Sequence, residues 1–307
     1  MKAKPAKREP RRPMPSVSII GAGRLGQALA LALRASGYSI KALVARRSAR
    51  AEKAVATLLP TDPPIQALGA NHLAELLPAD LVLITTPDDA IEETAHRLAA
   101  METMKARGRI VLHTSGALSS AALAPLAEVG FHTGSLHPLV SVSDPLSGAR
   151  GLRGAFYCVE GDKVATTMAR RVVNDFGGKS FSIAPESKAL YHAAALTAAG
   201  HLTALIDLAI EMLVSCGLSR PAAQEVLMPL VESAVNNLRG SPPEKALTGT
   251  FARGDIATVR RHLEALSGAE HQEALKIYKV LGLRSLHLAR KNGIDARVLK
   301  QIKEILK

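Results

Sequence analysis

Glycines, arginines, a lysine and several histidines stand in a few short stretches where they could bind an anion or move a proton. "GAGRLG" places glycines at Gly21, Gly23 and Gly26, between an apolar run and a helical one. Gly21 permits a tight turn, Gly23 lets a pyrophosphate approach the backbone, and Gly26 lets helix and strand lie close together. The amides that open the helix, around Arg24 and Leu25, have no partner within it; they point at an anion, and the helix dipole adds to the attraction. "ALVARRSAR" ends the following strand with Arg46, Arg47 and Ser48 where an NAD enzyme would carry an acid. A guanidinium pair suits a 2′-phosphate through charge-assisted bonds, with Arg24 as a third positive contact, so the expected cofactor is NADP. Lys188 and His192 lie four residues apart and share one helical face. When hydride reaches a carbonyl carbon, negative charge builds on the oxygen. An ammonium there stabilises that charge and can deliver the proton.

Further polar residues gather at strand ends. In "TTPDDAI", Thr86 and Pro87 are expected at the cofactor, although Pro87 with its two aspartates also makes a good helix start. "VLHTSGAL" offers Ser115 to the cofactor and His113 as a packing histidine. "GSLHPLV" carries His137 on what reads as an extended loop, placed equally well for packing or for substrate. Thr248-Gly-Thr leads to Arg253 and to Asp255, a plausible N-cap. No metal is expected, because no Cys/His metal spacing occurs; a P-loop and a serine nucleophile elbow are also missing. Cys158 and Cys216 match no redox spacing and are expected as buried, reduced thiols of a cytoplasmic protein.

Hydrophobic periodicity gives the strands and helices that carry these side chains. "VSII", "SIKALVA", "DLVLITT" and "GRIVLHTS" read as strands, alternating with helices over 25–36, 49–59 and 89–105. Such alternation builds right-handed βαβ units on a parallel sheet. "AFYCVEG", a helix over 162–176 and "GKSFSIA" add one more unit. After Pro185 the strand signals stop, and helices are expected over 189–215, 220–238, 255–266, 268–291 and 295–306. The expected division is a disordered tail, 1–15, an α/β Rossmann dinucleotide-binding domain, 16–184, and an all-α substrate and dimerisation domain, 185–307. The tail holds six Lys/Arg against one Glu and so carries part of the formal charge of +12. It reads as a solubilising extension. Aromatic residues are only 3% with no Trp, which argues against a base-stacking nucleic-acid surface. Residues 189–213 are apolar but interrupted by His192, His201, Asp207 and Glu211, so they read as a buried core helix and not a membrane span.

With "GAGRLG", "TTPDDAI", "HTSGAL", "SLHPL", "SKALYHAAA" and "ALTGTFARGD" as its marks, the chain resembles a Rossmann-like NADP oxidoreductase family with a helical C-terminal domain. The likeness spans roughly residues 16–305, and one branch of that family is implicated as an alternative ketopantoate reductase. More distantly, the chain is similar to β-hydroxyacid dehydrogenases, pyrroline-5-carboxylate reductases and prephenate dehydrogenases. The resemblance implies a helical domain like the 6-phosphogluconate dehydrogenase C-terminal domain, and a homodimer with the active site near the interface. Lys188 falls on the lysine that holds the reacting oxygen in β-hydroxyacid dehydrogenases, while His192 replaces their asparagine. His137 looks like the substrate-contacting histidine of prephenate dehydrogenases. The expected catalytic residues are therefore Lys188, His192 and His137. The expected activity is NADPH-dependent reduction of a small carboxylate, a 2-oxo acid of the ketopantoate type. The alternatives are imine reduction of the pyrroline-5-carboxylate type and a non-catalytic NADP sensor.

Overall fold

The computed structural model describes residues 14–59, 64–101 and 108–307. The tail expected to be disordered lies outside the described residues apart from Met14 and Pro15, as does the end of the helix expected to reach Lys105. Two compact units divide the chain, 1–199 and 200–307.

In the first unit the order is β1 (Ser16–Ile20), α1 (Arg24–Ala35), β2 (Ser39–Ala45), α2 (Ser48–Leu58), β3 (Gln66–Gly69), β4 (Leu81–Ile84), α3 (Ile91–Ala99) and β5 (Ile110–His113). There follow α4 (Ala124–Glu128), β6 (His132–Pro138), α5 (Pro145–Gly151), β7 (Phe156–Gly161), α6 (Lys163–Asp175), β8 (Lys179–Phe181) and the start of α7 (Lys188–Ser215). One eight-stranded sheet runs β3-β2-β1-β4-β5-β6-β7-β8. β4 and β5, "LVLI" and "IVLH", are buried at every position. Such unbroken apolar runs belong to strands covered on both faces. One face packs Val17, Leu43, Leu83 and Leu112 against Ala28 and Leu33 of α1 and Val172 of α6. The other packs Val44, Val82 and Val111 against Ile91 and Leu98 of α3 and Leu126 of α4.

Several expectations need correction. The sheet is mixed, because β7 runs antiparallel to β6, although β7 and β8 are parallel to each other. His137 lies within β6 and not in a loop; its register partner on β7 is Cys158. The first compact unit extends to Ala199, past the end of the strand signals, because the first turn of α7 is tied to β6 and the β5 loop through Lys188.

The second unit contains the rest of α7, then α8 (Arg220–Gly240), α9 (Pro243–Ala246), α10 (Gly249–Arg253), α11 (Ile256–Ala265), α12 (Gln272–Lys291) and α13 (Ala296–Ile305). Asp255 caps α11, accepting from Thr258 N at 3.0 Å. The core here is small: Val259, Leu286, Ile302 and Leu306, with Phe251 and Tyr278 against them. The expected buried core helix is not realised. In the most apolar stretch of α7 only 6% is buried, although its length and composition would also fit a bilayer. Its leucines are open as well: Leu190, Leu196, Leu202 and Leu205 are all exposed. Cys216, just past that helix, is exposed, and only Cys158 is a buried thiol.

Candidate functional site

β1 and β4 are neighbours whose chain connections lead to opposite sides, so their carboxyl ends open the crevice in which doubly wound sheets bind ligands. The glycine turn sits there. Gly21 has φ +121°, and a Cβ on it would lie 2.6 Å from the Thr85 carbonyl carbon. At Gly26 a Cβ would fall 1.9 Å from the Gly21 oxygen. These two glycines are required by the protein's own packing. Gly23 is different, since among the described residues, its chain neighbours aside, no atom lies within 4 Å of its Cβ position. The turn is fixed by Thr85, whose Oγ1 donates to the Gly21 carbonyl at 2.7 Å, and by the Gly21 and Ala22 amides, which donate to Val44 O at 2.8 and 2.9 Å. No side chain caps α1 and no acid occupies its first turn, so the amides of Arg24, Leu25 and Gly26 stay open to an anion. The hydroxyl oxygen of Thr86 is buried without a partner, beside the exposed Pro87. An open glycine, free amides and an orphaned hydroxyl fit a bound dinucleotide.

Arg46 and Arg47 follow β2 directly; both are exposed and neither side chain is engaged among the described residues. Arg24 donates to Ser143 O at 3.5 Å. Ser48 Oγ lies 2.5 Å from where a Gly69 Cβ would stand, and Asn71 Oδ1 lies 2.6 Å from the same point. Asn71 thus joins this rim without having been singled out in the sequence. Ser115 is buried and its hydroxyl is fully used. Its Oγ donates to Asp88 Oδ2 at 2.8 Å and accepts from the amides of Ala117 (3.1 Å) and Leu118 (3.0 Å). It shapes the loop after β5.

The carbonyl of Ser115 reaches the second cluster. Lys188 is 1% exposed, and its Nζ donates to Ser135 Oγ at 2.8 Å and to Ser115 O at 3.1 Å. Burial pushes its pKa below the ordinary lysine range, against the opposing pull of Cys158, Glu160 and Asp88. Ser135 and His137 alternate along β6 and therefore share a face; opposite them on β7 stand Glu160 and Cys158. Glu160 is held by Ser120, through the amide at 2.5 Å and the hydroxyl at 2.8 Å.

Two imidazoles complete the cluster. His137 and His192 have ring centroids 5.6 Å apart, nearly perpendicular. Tyr191 OH is 2.7 Å from His137 Nδ1. Gly116 lies under both rings: its absent Cβ would stand 2.3 Å from His192 Nδ1 and 2.7 Å from His137 Nε2. Burial, reinforced by Lys188, His192 and His113, brings the His137 pKa down to about 4. His113 also falls to about 4, mainly through burial. Its Nδ1 accepts from Ser115 N at 3.2 Å while its Nε2 faces Ser119 O at 3.0 Å, so it is a neutral, satisfied packing residue. Tyr191, Gly116 and Ser135 were not anticipated. The i, i+3 spacing of Lys188 and Tyr191 and the Ser-x-His alternation were the available signals.

Residues 1–138 match the model of a Rossmann-like domain, and residues 155–285 match that of a domain of unknown function (DUF2520). A solved Thermotoga maritima protein is 22% identical, with a TM-score of 0.66, covering 90% of this chain and 99% of its own. A Bacteroides fragilis protein, provisionally described as an NADP oxidoreductase, is 21% identical with a TM-score of 0.71, covering 89% and 98%. The 1-pyrroline-5-carboxylate reductase of Streptococcus pyogenes is 15% identical with a TM-score of 0.57, covering 96% and 98%. No curated protein matches the sequence significantly. The chain has the fold of these proteins: a Rossmann-like sheet domain followed by a helical region.

Proposed function

We propose that the chain is an NADP-dependent oxidoreductase that reduces the carbonyl of a small 2-oxo acid, with ketopantoate as the first substrate to test. The observation that carries this reading is the burial of Lys188 at the edge of the sheet where ligands of this architecture bind. A lysine sealed from water without a carboxylate in direct contact loses hydration, a cost that a functional site has reason to sustain. NADPH, when bound at the glycine turn, would supply hydride to a carbonyl carbon, and the Lys188 ammonium would give the proton that ends on the oxygen. The glycine turn and the first amides of α1 receive the pyrophosphate, and Arg46 and Arg47 receive the 2′-phosphate. Lys188 places a positive charge beneath the carbonyl oxygen, where it stabilises the charge that develops there. Thr86 and Pro87 border the cofactor, and His137 and His192 face the substrate.

Imine reduction is the second reading, favoured by the shared fold with a pyrroline-5-carboxylate reductase. The same lysine charge is unhelpful to an already cationic iminium, which places this reading second. We further propose a homodimer through the helical region. Val226, Leu230 and Val280 of the second unit are 61%, 68% and 67% exposed, apolar side chains that a second copy would cover. Light scattering is expected to give twice the 32.4 kDa of one chain; a single-chain mass at micromolar concentration would refute it.

The direct test of the activity is NADPH oxidation across a panel of 2-oxo acids and cyclic imines. Turnover with ketopantoate or another 2-oxo acid is expected. Tight NADPH binding with no turnover on any member would favour the sensor alternative.

A further inference from the structure

We propose that Glu160, clasped by Ser120, is the counter-charge that keeps the buried Lys188 an ammonium. It rests on the reading of Lys188 as the proton donor and gives Glu160 a positioning role. Both side chains are sealed from water, Lys188 at 1% and Glu160 at 7% exposure. Neither touches an oppositely charged group among the described residues. The ammonium bonds a hydroxyl and a carbonyl, and the carboxylate bonds an amide and a hydroxyl. Lysine and glutamate are seldom buried this deeply unless paired, and a lone buried charge neutralises instead.

The fold brings the two charges to one loop. Ser135 on β6 stands directly opposite Glu160 on β7, so both side chains leave the same face of the sheet, with Cβ atoms about 4.5–5.5 Å apart. Lys188 Nζ reaches that face from α7 and donates to Ser135 Oγ at 2.8 Å. The loop after β5 is held at both ends. Lys188 donates to the Ser115 carbonyl at 3.1 Å, while Glu160 accepts from Ser120 N at 2.5 Å and Ser120 Oγ at 2.8 Å. Each carboxylate oxygen accepts one of these bonds, an arrangement that favours the ionised form.

The other groups facing Lys188 supply no comparable charge. Burial raises the pKa of the Cys158 thiol, which stays neutral at pH 7, and of the Tyr191 phenol, whose ring lies 5.9 Å from Nζ. His113 and His137 are neutral, with pKa values of about 4, and these imidazoles and His192 can add only positive charge. Asp88 is an acid on the loop after β4, but it is exposed and water screens it. Burial leaves Glu160 unscreened, so its field opposes the desolvation that pulls Lys188 below the ordinary lysine range.

The test is a titration by carbon-13 NMR of full-length protein labelled at lysine Cε, with the Lys188 resonance assigned by its loss in Lys188→Met. In the wild type the amine is expected to stay protonated through pH 7. Glu160→Gln keeps the shape and an acceptor for Ser120 N but removes the charge. It is expected to lower the ammonium-to-amine ratio of Lys188 about tenfold at a given pH. Asp88→Asn also removes one charge and is expected to change that ratio by about twofold or less. A Lys188 titration indifferent to Glu160→Gln, an equal response to both variants, or a wild-type amine already neutral at pH 7 overturns the proposal; the last is read without any Glu160 variant. A Lys188 that answers to Glu160 in a protein that reduces no 2-oxo acid or imine supports the counter-charge and counts against the reductase reading instead.

Discussion

Acid is expected to destabilise this protein well before its carboxylates titrate. His113 and His137 are both depressed from 6.5 to about 4 in the folded chain, chiefly by burial. Between those values the unfolded chain binds protons that the folded chain refuses, so stability present above pH 6.5 is lost as pH falls. At pH 5 an unfolded imidazole is almost wholly protonated and a folded one scarcely at all. That difference amounts to roughly 2 kcal/mol for each histidine, or about 3–4 kcal/mol together, because neighbouring sites do not add fully. For a unit of this size 1 kcal/mol moves the melting midpoint by roughly 2–4 °C, so a fall of about 10 °C between pH 8 and pH 5 is expected. Differential scanning calorimetry at constant ionic strength measures it. His137→Gln should remove about half of the slope, because glutamine carries no titrating group into the same space. A wild-type midpoint that stays level from pH 8 to pH 5, or a His137→Gln variant with an unaltered slope, would show that burial does not hold these imidazoles neutral.

The glycine turn and the buried lysine support further predictions. Gly23→Ala is expected to melt like the wild type yet bind NADP more weakly, since its Cβ meets no atom of the described residues beyond its chain neighbours and would enter the space given to phosphate; calorimetric titration beside a melting curve separates the two effects. Gly26→Ala is expected to lower stability by roughly 1–3 kcal/mol, because the clash is with the Gly21 backbone; equal denaturation midpoints for the two variants would contradict this contrast. Lys188→Met keeps an aliphatic stem in the buried site and is expected to cut kcat by about 10²–10³ once a substrate is found. Unchanged kcat would remove Lys188 from the chemistry.

Much of the fold was legible because its signals are local. The β2 run "SIKALVA" coincides with the observed strand, and Gly37 with φ +90° ends the turn after α1. Asp162 and Asp255 cap helices in the positions their side chains favour. β3 was missed because "QALG" is too short to display a period, and β6 because Gly134 and Pro138 interrupt "HTGSLHP". The antiparallel step at β7 has no signature in the strand itself, since direction is set by how the connection returns to the sheet. Apolar composition made α7 resemble a core helix, but composition does not say which molecule covers the surface. In the site, the residue types were readable and the partners were not. Lys188 finds Ser115 and Ser135 at sequence separations of 73 and 53, contacts that exist only once the sheet has assembled.

Cofactor choice in the proposed function rests on the exposed guanidinium pair after β2, which receives a 2′-phosphate. Isothermal titration of the full-length protein with NADP+ and NAD+ tests it most directly. A clear preference for NADP+ is expected, on the order of tenfold or more from about 1.4 kcal/mol of charge-assisted bonding, and Arg46→Asp is expected largely to abolish it. Equal affinity for the two dinucleotides, or a preference untouched by Arg46→Asp, would contradict it.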